Sequence, residues 1–560
     1  MKAYHSLLEP ILERAQESSE RVAVHFVAED GSAYAITFGM LHRNMLAYGH
    51  ALRASDIRPK DVVVLALQHS LDLIYAFWGT VYLGAIPSIF PYLTEKVDPG
   101  IYRERVRMLV GESGATVIIT FSDFKAPMTE LLRSMGCRVL TPNDVASSVG
   151  AEKSPPVNPH SRDVTALLQY SSGTTGLQKG VMFSHGAILD HIEALAEAYA
   201  IAPADVVVTW LPLYHDMGLV TGFLLPLIYG IPAVMMSPFH WVRKPKILFQ
   251  AMHAYQGTIC WMPNFAFNHC VRAVQDKDLR GIDLRAWRIA CNGSEPVRRE
   301  SLQMFYERFA PYGFRESALN AGYGMAENVV AVSVTPIGRR PRVDWVHLRE
   351  LRDERRAVPL PARESGGTAI VSCGFPLRGT EVIIVDDDGN RLPERHVGNV
   401  LLRSPYMLTG YHRRPDLTAE AIREGWLHTG DLGYVAGGEL YVCGRKTDLI
   451  IVGGRNIHPQ ELEAIAGTVA GIRAGRAVAF GVLDERLGSE RVVMVCETAW
   501  RFDEGENRRV ERELRQRMAQ ELDVTLGDVR LVDRRWVIKT SNGKLARPAN
   551  RDKYLQEFTH

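Results

Sequence analysis

No two cysteines in this chain stand in a C-x-x-C arrangement: seven are scattered from Cys137 to Cys496 along 560 residues. That spacing suggests neither a disulfide framework nor a zinc site, and small core residues are expected instead. Neither sign of charge is in excess, with 65 Lys and Arg against 64 Asp and Glu. No global field therefore recruits nucleic acid or an anionic membrane, and a small molecule or a local protein patch is the expected partner. Long apolar runs are also missing. The most apolar stretch, "GFLLPLIYGIPAVMM" from Gly222, is shorter than a membrane span and is broken by two prolines. The opening segment, "MKAYHSLLEPILERAQESSE", carries acids and bases throughout and lacks the apolar core of a secretory signal. The expectation is a soluble cytoplasmic protein. No internal repeat or heptad array is present. Hydrophobic residues are plentiful at 46%, on a chain longer than one core usually serves, so two or more domains are expected.

Short apolar runs alternate with helical patterns over most of the length. "DVVVLAL", "ATVIITF", "VTALLQY", "DVVVTW", "IPAVMMS", "GTICWMP" and "WRIACN" read as strands; "RKPKILFQAMHAY" and "RRESLQMFYERFA" read as amphipathic helices. This predicts an α/β fold with largely parallel sheets, whose ligands gather beyond the carboxyl ends of the strands. Chemistry-bearing stretches stand at those ends: "SSGTTG" after Tyr170, "LPLYHDMG" after Trp210, "MPNFAF" after Trp261 and "NGSEPV" after Cys291. From Ile337 to about Gly367 the chain turns rich in Arg and Pro, which predicts an inserted surface segment. "TEVIIVDDDGNRLPERHVGNVLLRS" carries hairpin turn signals and predicts a β-rich part. Beyond Arg445 the pattern becomes a compact α+β tail with a helix in "RVERELRQRMAQEL" and a hairpin in "RAVAFGVLDERLGSERVVMVCET".

"SSGTTGLQKG" is not a Walker loop. That loop needs G-x-x-x-x-G-K-[ST], whereas here Lys179 comes two residues too late after Gly176 and precedes another glycine. Ser171, Ser172, Thr174 and Thr175, set among Gly173 and Gly176, suit a clamp whose hydroxyls and amides approach a polyphosphate closely.

This loop, "YGMAENVV" from Tyr323, "HTGDLG" from His428, "GRKTDLIIVGGRNIHPQELE" from Gly444 and "TSNGKLAR" from Thr540 stand in an order that resembles the acyl-adenylate-forming superfamily. The resemblance runs from about Val22 to Tyr554. "WLPLYHDMGLV", "MPNFAFNHCVRAV", "NGSEPVRRESLQMF" and "VDWVHLRELRDERRAV" look most like fatty acyl-AMP ligases. The resemblance implies a large N-terminal domain, 1–444, of parallel-type sheets plus a β-rich subdomain; a hinge, 445–447; and a small mobile α+β domain, 448–560. It implies ATP and Mg2+ as cofactors, a fatty acid as substrate, and an acyl carrier protein or CoA as acceptor. It implies that residues Ser171 to Gly176 and Lys179 hold phosphates, with Thr175 also near the metal. Ser294, Glu295 and Pro296 would line the adenine pocket, next to Tyr323, Gly324 and Met325, with Tyr323 stacking on the base. Glu327 would bind Mg2+, Asp431 the ribose hydroxyls, Arg445 ribose or phosphate, and Lys544 the α-phosphate and carboxylate oxygens. His215 would gate the acyl pocket, and Asp216 beside it would be structural.

The chain departs from the superfamily pattern twice. Ala326 stands where a Thr often precedes the magnesium glutamate, as it does in fatty acyl-AMP ligases. Thr447 replaces the usual hinge Lys or Asp. The acceptor stays open between a carrier protein and CoA, and an ATP-binding homologue without activity is the third alternative. Acyl chain length and oligomeric state, monomer or dimer, are left open.

Overall fold

The computed structural model describes residues 2–558 apart from 29, 94–98, 149–160, 171–178, 363, 453–454, 485–488, 501–502, 523 and 541–542. Its centre is a nine-stranded sheet. The middle of that sheet is parallel: Val22–Val27, Ala233–Met236, Val207–Thr209, Ile259–Pro263, Ile289–Gly293 and Leu319–Tyr323 lie side by side. Val207–Thr209, Ala233–Met236 and Ile259–Pro263 are buried at every position. Such strands read as unbroken apolar runs because both faces of a parallel sheet are covered. A second parallel sheet joins Ile86–Ile89, Val62–Ala66, Val117–Thr120 and Arg138–Leu140. Helix Leu71–Leu83 starts where the Ser70 hydroxyl accepts from the Leu73 amide, and it stops at Gly84 in the left-handed region, where glycine is unstrained. In the same way Ser184 caps helix His185–Ala198 by accepting from Ala187 N.

The predicted β-rich part is an antiparallel sheet of Glu381–Val385, Gly398–Arg403, Trp426–Ala436 and Ile422–Arg423, with Glu439–Arg445 paired to the long strand. The "DDDGN" turn forms as expected. The Asp386 carboxylate accepts from the Asp388 and Asn390 amides, with Gly389 at φ 89°. The tail is α+β: helices Pro459–Ala466 and Glu504–Leu522 pack on strands Ile472–Asp484, Ser489–Thr498 and Leu526–Val532. Its core, built from Ile450, Leu462, Met494, Leu514 and Met518, is separate from the large N-terminal core. Among the described residues no helix is long and apolar enough to cross a membrane.

The Arg- and Pro-rich stretch after Ile337 is partly exposed but also packs on the tail. It contains strand Val343–His347, paired with Gly367–Val371, and helix Leu348–Asp353. Leu348 joins the core of the C-terminal tail. Arg352 is only 3% exposed; it donates to Leu522 O at 2.7 Å and makes a close ion pair with Glu461. Its buried guanidinium is stabilised by those acceptors, which come from two helices distant in sequence.

Candidate active site

Four parallel strands of the central sheet deliver side chains to one edge. Beyond Val207–Thr209 the chain reaches His215 and Asp216; beyond Ile259–Pro263, Phe265; beyond Ile289–Gly293, Ser294 and Glu295; and at the end of Leu319–Tyr323, Tyr323 itself. Loops at the carboxyl ends of parallel strands form crevices, which is where such sheets bind ligands.

Tyr323 and Asp431 form the first fixed pair, the phenol donating to Asp431 Oδ2 at 2.5 Å. Arg445, directly opposite Asp431 in the antiparallel ladder, brings Nε to 3.4 Å from Oδ1. Burial raises the Asp431 carboxyl above its usual range, against the pull of Arg445 and the Tyr323 hydrogen bond. Each carboxylate oxygen keeps lone pairs for a further donor.

Glu327 sits on the short helix Ala326–Asn328, with Met325 half-buried just before it. Its Oε1 accepts from the Tyr411 hydroxyl at 2.8 Å, and Lys179 Nζ stands 5.0 Å above the centre of the Tyr411 ring. The loop after Glu327 is tight. Val329 has φ 63° and ψ −64°, a rare conformation for a β-branched residue. At Gly324 a Cβ would lie 1.8 Å from Val330 O, so only glycine fits. The donor set suits Mg2+, a hard cation that uses one or two carboxylates with substrate phosphates rather than an all-protein cage. No cluster of three or more potential ligating His, Cys, Asp or Glu side chains is found among the described residues.

Glu295 turns inward, accepting from the Phe265 amide at 3.0 Å, while Pro296 is exposed. Ser294, at φ 65°, donates to Met217 Sδ at 3.7 Å. His215 Nδ1 lies 2.5 Å from Asp216 Oδ1, which also accepts from the Met217 amide at 2.7 Å. Asp216 is thus paired within the protein.

The last part of the chain reaches this edge too. Thr540 N donates to Lys544 O at 2.8 Å, and a Cβ on Gly543 would lie 3.8 Å from the Phe265 ring. Burial lowers the Lys544 ammonium below its usual pKa, opposed by the nearby Asp216, Glu295 and Asp431 carboxylates. Opposite charges therefore meet here from segments far apart in sequence. Thr447 is exposed between Lys446, paired with Asp387 at 2.7 Å, and Asp448, paired with Arg547 at 2.5 Å. The first partner belongs to the β-rich sheet region and the second to the tail.

Ser171, Ser172, Gly173, Thr174, Thr175 and Gly176 lie outside the described residues. Tyr411 and Phe265 escaped the sequence reading. Tyr411 meets Glu327 across 84 positions, a separation that no local pattern encodes.

A mainly parallel sheet with acids, a lysine and an arginine converging beyond its carboxyl edge defines the molecule as an α/β enzyme that handles a nucleotide. Residues 11–412 match the AMP-binding enzyme family, and the chain belongs to it. It is 31% identical to the medium-chain-fatty-acid acyl-carrier-protein ligase JamA of Moorena producens, over 99% of this chain and 95% of that one. It is 30% identical to the long-chain-fatty-acid–AMP ligase FadD26 of Mycobacterium bovis, over 97% and 96%. A solved structure from a study of the fatty acyl-adenylate ligases of E. coli and L. pneumophila matches with a TM-score of 0.91 at 27% identity, covering 99% of this chain and 98% of that one.

Proposed function

We propose that the protein activates a medium- or long-chain fatty acid with ATP as acyl-AMP and then passes the acyl group to the phosphopantetheine thiol of an acyl carrier protein. The observation that carries this reading is the entry of Lys544 into the edge that holds Glu295, Tyr323 and Asp431. A carboxylate oxygen of the acid attacks the α-phosphorus, the bond to the bridging oxygen breaks, and pyrophosphate leaves. Such transfers need in-line positioning and neutralisation of developing charge more than covalent help. Lys544 answers the charge on the α-phosphate and the entering carboxylate. Asp431 accepts from the ribose hydroxyls, sharing its oxygens with Tyr323 and Arg445, and Tyr323, Gly324 and Met325 flank the base with Ser294 to Pro296. Glu327 holds Mg2+, which supplies neutralisation of the leaving phosphates. Lys179 and the hydroxyls of residues 171–176 take the outer phosphates. In the second step a thiolate attacks the acyl carbonyl and AMP leaves.

Residues 1–444 form the adenylating domain, 445–447 the hinge and 448–560 the mobile domain. Thr447 suits a pivot because its two neighbours are anchored to opposite sides. His215 gates the acyl pocket from its place beside Asp216 and Met217. Dependence on ATP places the protein in the cytoplasm. The anchoring of the 337–367 segment in the tail favours a carrier protein over free CoA, because it restrains the domain that must turn for thioester formation. The decisive experiment is ATP–pyrophosphate exchange across fatty, aryl and amino acids. Exchange that depends on fatty acids supports the proposal, and exchange driven only by amino or aryl acids refutes it.

A further inference from the structure

His191 lies on helix His185–Ala198, one short strand after Lys179, and is wholly buried. Its Nε2 accepts from the Ala331 amide at 3.2 Å, so the ring proton is on Nδ1, which has no partner among the described residues. Tyr406 meets the ring edge-on at 5.1 Å between centroids. The other polar group of Ala331 is fixed as well: its carbonyl accepts from Asn328 Nδ2 at 2.8 Å. Asn328 is itself held by the Ser404 hydroxyl, which donates to its Oδ1 at 2.5 Å. Between Asn328 and Ala331 lies the strained residue Val329, with Val330 N donating back to Asn328 O at 2.7 Å. Such a conformation is strained and persists only where the surroundings over-determine it. Glu327 is the residue immediately before this turn, and its carbonyl accepts from Leu408 N at 2.9 Å.

We propose that His191 and Asn328 are positioning residues for Glu327: by clasping the amide and carbonyl of Ala331 they hold the strained turn at Val329 shut and fix where the Glu327 carboxylate meets Mg2+. This rests on the reading of Glu327 as the metal carboxylate. The imidazole works here as an acceptor only, and its helix leads out of the strand next to Lys179, so the phosphate side and the metal side of the site share one rigid support. A carboxylate on a loosened turn would still reach the metal, but over a spread of positions, and preorganisation would be lost.

The test uses the whole chain and needs no turnover. ATP binding is measured by calorimetry without acid, once in EDTA and once in excess Mg2+, for wild type, His191→Leu, His191→Gln, Ser404→Ala and Glu327→Gln. In His191→Leu the factor by which Mg2+ tightens ATP binding is expected to fall about tenfold, the scale of one lost buried hydrogen bond. Affinity in EDTA should stay within about twofold. His191→Gln, whose amide oxygen can accept from Ala331, should retain most of the factor, and Ser404→Ala should lose it in part. A wild-type Mg2+ factor in a folded His191→Leu overturns the proposal, as does an equal loss with and without metal. Should His191→Leu fail to fold, Ser404→Ala decides by the same two criteria. Glu327→Gln separates the layers: if it keeps the full Mg2+ factor, the metal role of Glu327 falls and this inference with it. If it loses the factor while the clasp variants keep it, only the clasp is wrong.

Discussion

Asp216, Glu295 and Asp431 all pull on Lys544, whose pKa is lowered by burial. A cation balanced in this way is poised to meet charge that appears only in the transition state, which is where stabilisation accelerates chemistry. Lys544→Ala is expected to slow single-turnover adenylation by orders of magnitude while ATP affinity changes little. Adenylation at the wild-type rate would remove Lys544 from the mechanism. Asp431 and Glu327 should differ in kind. Ribose contacts are the same before and during reaction, so Asp431→Ala should mainly weaken nucleotide binding. A metal carboxylate acts on charge that moves, so Glu327→Gln should also depress the chemical step. Single-turnover rates at saturating ATP separate the two. The buried histidines make a further prediction. Burial lowers the pKa of His191 to about 3 and of His69 to about 4, against 6.5 when unfolded. Their contribution to stability is full above pH 6.5 and is lost as pH falls towards those values, because the unfolded chain takes up the protons first. At pH 4.5 each costs about 2–3 kcal/mol. Thermal midpoints of His191→Gln followed from pH 7 to 4.5 should decline less steeply than those of wild type.

At the scale of elements, the segment from Ile337 to Gly367 joins the cluster under the β-rich sheet, through Val346, Leu351 and Ala357, to the tail's core. Leu348 enters the tail's core, and Arg352 ties helix Leu348–Asp353 to Leu522 and Glu461. Removing one partner of a buried pair leaves the other unpaired, at a cost of about 3–5 kcal/mol. Arg352→Ala is therefore expected to loosen the tail and to raise acyl-CoA formation severalfold, with adenylation itself little changed; unchanged CoA use would remove the segment's restraining role. Val62–Ala66 and Ile259–Pro263 were legible because buried parallel strands are written as continuous apolar runs, and helix Lys246–Ala254 because its buried Ile247, Leu248, Ala251 and Met252 recur at the helical period. The burial of Arg352 was not. Arginines read as solvated, and the burial of Arg352 depends on acceptors 109 and 170 positions away. The same holds within the site. Tyr323, Asp431 and Lys544 stood out through ordered motifs, whereas Tyr411 and His191 owe their places to tertiary partners 84 and 140 residues away.

On the scale of the whole molecule, one arrangement is held by contacts on several sides. Lys544 reaches the carboxyl edge, Arg298 donates to Gln460 O at 2.9 Å across the same junction, and Arg352 fastens the tail from the 337–367 side. On the proposed mechanism the acceptor thiol enters where Lys544 now sits, and the tail then has to leave. If the held arrangement is favoured by even a few kcal/mol, the competent one is a minor state, and the apparent affinity for any acceptor falls by its fraction. Free CoA offers only its own contacts to offset that cost. A carrier protein presents the same thiol on a folded surface that can bind the displaced tail and shift the population further. With ATP, Mg2+ and a medium- or long-chain acid, a carrier-bound phosphopantetheine should thus be acylated much faster than CoA, as followed by mass spectrometry of the thioesters. Arg352→Ala should narrow the gap by speeding the CoA reaction rather than by slowing the carrier reaction. Rapid acyl-CoA formation by the wild-type protein, with no preference for the carrier, would leave the adenylation chemistry intact and make the protein a CoA ligase.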